Sequence, residues 1–135
     1  MADKTLYEKG LEIRKTLRSE AEFEKNASVY DDDPVTKEFI DVVTETVFGA
    51  LWTRPGLDLK TRTLICVVSD TAQGRYPELD IHLRFALRQG WTEKELTETM
   101  IHMLGYVGAP LVRDAMMVAK KVFAEVRAEN EGGGA

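Results

Sequence analysis

Four prolines and a matching set of helix-capping residues cut this 135-residue chain into helix-length runs, and that punctuation limits what the chain can fold into. Pro34 follows "DDD", Pro55 lies in "TRPG", Pro77 follows "GRY" and Pro110 follows "GA". Proline is tolerated in the first turn of a helix, where its missing N–H costs nothing, and is rejected from the interior. Asp33 and Asp58 read as N-caps, and Thr92 with Glu95 three residues on reads as a capping box. The signals predict an all-α chain of about six helices, near 3–19, 34–52, 58–73, 77–89, 93–106 and 110–128.

Apolar spacing agrees with that division. Phe39, Val42, Val43, Thr46 and Val47 recur at helical intervals in the second run. Leu111, Val112, Ala115, Met116, Ala119, Val122, Phe123 and Val126 do so in the last. "TLICVV" in the third is apolar around its whole circumference, which predicts a helix buried on all sides by its own chain or by a second subunit. The organisation expected is a helical arm over residues 1–30, a helical domain over 31–128 and a disordered tail over 129–135, where "ENEGGGA" begins.

Charge and cysteine content exclude several functions. A formal charge of −5 argues against a nucleic-acid partner, which would need a basic face to neutralise phosphates. The longest uncharged apolar run, "LICVV", is far too short to span a bilayer, and the first residues lack the apolar stretch of a signal peptide, so no membrane partner and a cytoplasmic location are expected. The single cysteine, Cys66, rules out an intrachain disulfide and any CxxC motif, and inside "LICVV" it reads as an inert core thiol.

The candidates for chemistry are few. His82 follows Glu78 by four residues, so the two share a helix face and the carboxylate could hold the imidazole. His102 repeats the spacing, with Glu98 four before and Tyr106 four after. These pairs either converge on one pocket or are ordinary surface pairs worth a few tenths of a kcal/mol. No HxH, HxxxH or HExxH spacing is present, so no metal is expected. Asp70, directly after the apolar run, is either a solvated helix-end residue or a pocket acid. Trp52, Arg54 and Arg62 cluster at a helix junction, where an arginine could grip a carboxylate or simply cap carbonyls and stack on Trp52.

"FGALWTRPGLDLKTRTL", "GRYPELDIHLRFAL" and "GWTEKELTETMIHMLGYVGAP", in that order and spacing, resemble the carboxymuconolactone decarboxylase family, which also contains the alkylhydroperoxidase D-like proteins. The resemblance runs from about residue 45 to 125 and implies an alkylhydroperoxidase D-like helical bundle that assembles as a homotrimer or homohexamer, with sites near subunit contacts. The family's peroxidase-like branch carries a CxxC ahead of the helix histidine. Arg75 and Glu78 occupy those two positions here, so the resemblance is to the decarboxylase-like branch.

That branch implies a cofactor-independent decarboxylase of a small unsaturated carboxylate or carboxy-lactone of the 4-carboxymuconolactone type, in the breakdown of aromatic compounds. His82, positioned by Glu78, would transfer the proton, and Arg62 or Arg54 would hold the carboxylate. Trp52, Asp70, His102 and Tyr106 would line the substrate site. Isomerisation or lactone hydrolysis would use the same histidine, and a non-catalytic oligomeric binding protein would use it structurally. Arg88-Gln89 in "ALRQG", Ser69-Asp70, and Leu111-Val112 depart from the family pattern and imply an altered substrate.

Overall fold

The structure, a computed structural model, describes residues 3–133. Among these residues the chain forms helices and no strand, and it divides between Asp58 and Leu59 into two compact units. Within the first unit the first helix packs most extensively on the segment 44–51.

The first unit begins with helix α1 (Leu6–Leu17), capped by Thr5, whose hydroxyl accepts from the Glu8 N–H at 3.1 Å. Helix α2 (Glu20–Asp31) is an addition to the predicted set. Arg18 ends α1 in extended backbone, and Ser19 caps α2 by accepting from the Glu22 N–H at 3.1 Å. Helix α3 (Pro34–Val43) starts where predicted, with Asp33 accepting from the Val35 N–H at 2.8 Å. The chain then continues as eight residues of wider π-helical turns, Thr44–Leu51, ending in a bond from the Trp52 N–H to the Val47 carbonyl at 2.9 Å.

The wide segment carries small residues toward α1. A Cβ on Gly10 would lie 1.8 Å from the Thr44 carbonyl oxygen, and one on Gly49 would lie 2.1 Å from that of Leu6, so the two backbones touch where both glycines sit. Ile40, Thr44 and Gly49 form the covered face of this run. Phe39 and Val42, predicted to face a core, are more than half exposed, and it is the Ile40–Thr44 side of this run that is covered. Arg14 is buried here, donating to Thr44 Oγ1 at 3.2 Å and Asn26 Oδ1 at 2.8 Å with its guanidinium over the Phe23 ring.

The second unit is built from α4 (Leu59–Gln73), α5 (Tyr76–Arg88), α6 (Glu93–His102), the single turn α7 (Leu104–Val107) and α8 (Ala109–Gly133). Its core joins Val67 of α4, Leu79, Leu83 and Ala86 of α5, Leu96 and Met100 of α6, and Ala115, Ala119, Val122 and Phe123 of α8. Truncating one of the fully buried leucines to alanine costs about 2–5 kcal/mol in such a core. The predicted stripe on the last helix is therefore the one that packs. The capping box at Thr92 and Glu95 forms in both directions. Trp91 ties the start of α6 to α4, donating from Nε1 to the Lys60 carbonyl at 2.8 Å under the Lys60 ammonium.

Within this chain helix α4 is covered on the Thr63–Val67–Asp70 side, which leaves Ile65 half exposed and Cys66 partly so. Two expectations change. The predicted helix 93–106 breaks at Met103, and Gly108 at φ +89° starts α8. Helix α8 runs through Gly133 rather than ending near 128. Glu129, Asn130 and Glu131 offer no helix breaker, so the tail expected to be disordered is helical that far, and its last two residues lie outside those described.

Candidate active site

His82 sits in the middle of α5, and its neighbours come from two helices. Leu79, Leu83 and Ala86 turn into the core, which leaves His82 at the margin of that face with its side chain 23% exposed. Its Nδ1 lies 2.5 Å from Oδ2 of Asp70, on α4. The Phe85 ring, buried one turn along α5, stands 5.5 Å from the imidazole centroid and tilted 60° to it.

Asp70 answers the choice between a solvated helix end and an interior acid. The residue is 5% exposed although it stands one turn from the end of α4. Gly74 terminates that helix at φ +68°, a conformation costly for any residue with a Cβ, and the returning Arg75 N–H donates to the Asp70 carbonyl at 2.9 Å. The turn fixes the backbone of Asp70 while α5, starting two residues later at Tyr76, brings His82 beside its carboxylate.

Glu78, the partner suggested by i,i+4 spacing, is exposed on the first turn of α5, and the imidazole is bonded to Asp70 instead. Helical spacing puts Glu78 and His82 on one face, but that face is at the solvent margin at Glu78, while α4 packs alongside at His82. Arg62, Cys66 and Asp70 follow one another at intervals of four down α4, a slanting stripe about 12 Å long at 1.5 Å per residue. Burial, with the Asp70 charge adding to it, pushes the Cys66 thiol up to about 11, so it stays protonated and unreactive at neutral pH.

His102 is exposed at the end of α6, its ring 5.2 Å from that of the exposed Tyr106. It lines an open groove of about 630 Å³ with Val68, Glu98, Thr99, Ile101 and Met103. His82 is not among those lining residues, so the two Glu–His pairs do not meet in that groove. Trp52 is buried in the first unit against the Phe48 ring, with centroids 5.6 Å apart, and Arg54 is exposed there. Among the described residues no group of three or more His, Cys, Asp or Glu side chains is arranged to hold a metal ion, and no helix is long and apolar enough to cross a membrane.

Residues 37–121 match the carboxymuconolactone decarboxylase family. The chain belongs to that family. Over 126 residues, 93% of this chain and 92% of the relative, it is 33% identical to a 4-carboxymuconolactone decarboxylase of Acinetobacter baylyi. Over 116 residues, 86% of this chain and 80% of the relative, it is 34% identical to a nitrosuccinic acid decarboxylase of Metarhizium robertsii. An uncharacterized 15.0 kDa protein of Paracoccus denitrificans is 39% identical over 83 residues, 60% of this chain and 62% of its own. The family match includes α4, α5 and α6 and thus both members of the Asp70–His82 pair.

Proposed function

We propose that this family member is a cofactor-independent decarboxylase of a small activated carboxylate, of the 4-carboxymuconolactone type, in which His82 returns the proton to carbon. The observation that carries the reading is a partly exposed imidazole, held by partners on two helices, in a chain similar along most of its length to two decarboxylases.

The two substrates in those relatives' names share one property. A carboxyl group leaving the saturated ring carbon of an unsaturated carboxy-lactone leaves its electron pair to flow through the double bond into the lactone carbonyl. A carboxyl leaving beside a nitro group leaves its pair on the nitro oxygens. In each case the substrate supplies its own electron sink, so the protein's work is to bind the carboxylate, stabilise the developing anion and protonate the carbon. The balance is one carboxylate and one proton in, one new C–H bond and one CO2 out.

Arg62 suits the first task. It lies in the opening turn of α4, where the positive end of the helix dipole adds to its own charge, and at the opposite end of the stripe from Asp70. A substrate carboxylate lodged there is kept away from the Asp70 anion, and the carbon to be protonated points toward His82. His102 and Tyr106 would contribute to a separate wall. A homotrimer or homohexamer would cover the half-exposed Ile65 of α4, and light scattering across a dilution series reads that state directly.

The test is CO2 release from 4-carboxymuconolactone and from 2-nitrosuccinate, each in the presence of EDTA. Turnover of the lactone, unaffected by the chelator, is the expected result. Turnover of nitrosuccinate alone would move the substrate to the nitro class while keeping the proton chemistry, and release from neither would overturn the reading.

A further inference from the structure

We propose that Asp70 is the positioning residue of this site: by holding Nδ1 of His82 it fixes the imidazole tautomer and leaves Nε2 as the one nitrogen that moves the proton. The proposal rests on reading His82 as the acid–base group, and it replaces Glu78 in the role that helical spacing suggests.

A buried carboxylate is costly unless it is paired. Asp70 is the one buried acid of the second unit's described residues, and its side chain is spent on His82, not on an arginine or lysine. A permanent cation would serve a purely structural pair better, because an imidazole loses its charge within the physiological range. Both ends of the contact are also held from behind. The Gly74 turn fixes the Asp70 backbone through the Arg75 N–H, and the Phe85 ring backs the imidazole from its own helix. The backbone of Asp70 and one face of the imidazole are thus each set by a neighbour outside the pair.

An ionised carboxylate accepts and cannot donate, so at 2.5 Å Nδ1 must carry the hydrogen. The neutral ring then has its lone pair on Nε2, the reverse of the tautomer that free histidine favours in water. The proton cycle follows. Nε2–H of the charged ring gives its proton to a carbon of the delocalised anion left by CO2, and the pair returning from the lactone carbonyl or the nitro oxygens becomes the C–H bond. The N–H pair stays on Nε2, and solvent restores the proton. Asp70 keeps its charge and gains no proton at any step, as an orienting carboxylate does in other acid–base pairs.

The closing experiment reads the tautomer without a substrate. The chain has two histidines, so a long-range proton–nitrogen correlation spectrum of the 15N-labelled protein shows two ring systems, and His102→Gln assigns the one belonging to His82. In the wild type the neutral His82 ring is expected with its hydrogen on Nδ1. Glu78→Gln leaves it there, while Asp70→Asn, which can donate as well as accept, moves it toward Nε2–H. In the same variant kcat falls about 10²-fold with KM little changed, because orientation of the acid acts on the chemical step.

An Nε2–H tautomer in the wild type, which needs no variant to fold, overturns the proposal, as does an unchanged tautomer in folded Asp70→Asn. An Nδ1–H tautomer that shifts in Asp70→Asn, in a protein that releases no CO2 from either substrate, upholds the positioning role and removes the decarboxylase reading. The two failures are therefore separable.

Discussion

In the first unit the buried ion is Arg14, and its donors go to Thr44 Oγ1 and Asn26 Oδ1, both neutral, while its Nε has no partner. In the second it is Asp70, and its carboxylate goes to an imidazole that still reaches solvent. Desolvation pulls the Arg14 guanidinium below its usual range, against the pull of Tyr7, Asp31, Tyr30 and Asp41, so its charge is tolerated rather than used. The Arg14 network closes on itself and braces three helical segments. The Asp70 contact opens outward onto a partly exposed imidazole. A buried charge is a pointer to chemistry when its partner can exchange a proton, and a pointer to architecture when the partner cannot.

The sharpest break of that comparison is His82→Ala. Turnover should fall by about 10²–10⁴-fold in a chain that still folds, with the melting temperature lowered because the buried Asp70 carboxylate loses its partner. Residual activity above a tenth of wild type would remove His82 as the main acid–base group. Gly10→Ala should act on the fold instead, costing about 3 kcal/mol or more in denaturant melts, because the new methyl meets a backbone oxygen that cannot step aside. An unchanged midpoint would mean that α1 and the wide segment do not cross there.

Arg14→Lys keeps the charge and loses the fork. It should cost about 1–3 kcal/mol of stability by leaving Asn26 or Thr44 unsatisfied, with kcat unaltered. A change in kcat would erase the distinction between the two buried ions. The smallest effect concerns Cys66. Its folded value of about 11 lies above the ordinary 9.0, so between those limits the folded chain binds more protons than the unfolded one, and stability declines as pH rises through that window. Alkylation of Cys66 should accelerate only toward pH 11, and a rate that rises around pH 9 would show that the thiol is more open than its burial implies.

What could be read from residues alone follows the range of the interaction. Asp33 and the Thr92–Glu95 box act within three residues, and they mark α3 and α6 correctly. Ser19 with Glu22 carries the same signal for α2 and was legible, but the charged run around it hides the apolar period. The wide turns of 44–51 were not, because a period longer than 3.6 scatters its small residues across a helical wheel. His82 stands out by its rarity, whereas its partner does not. Asp70 is twelve positions away on another helix, and only the packing of α4 on α5 brings the two together, while Glu78 at the tempting distance stays in solvent.

The segment Thr44–Leu51 has a consequence for how this chain can change length. Each of its hydrogen-bonded rings encloses one residue more than an α-helical ring, so the segment holds slack that the flanking helices lack. Removing one residue from α4 or α5 would swing everything beyond it by about 100° and turn a buried face outward. Removing one from the wide turns can instead tighten them toward ordinary α geometry. A reading frame scanned by single-codon deletions should therefore find its most forgiving helical stretch there, away from the Gly49 contact with α1.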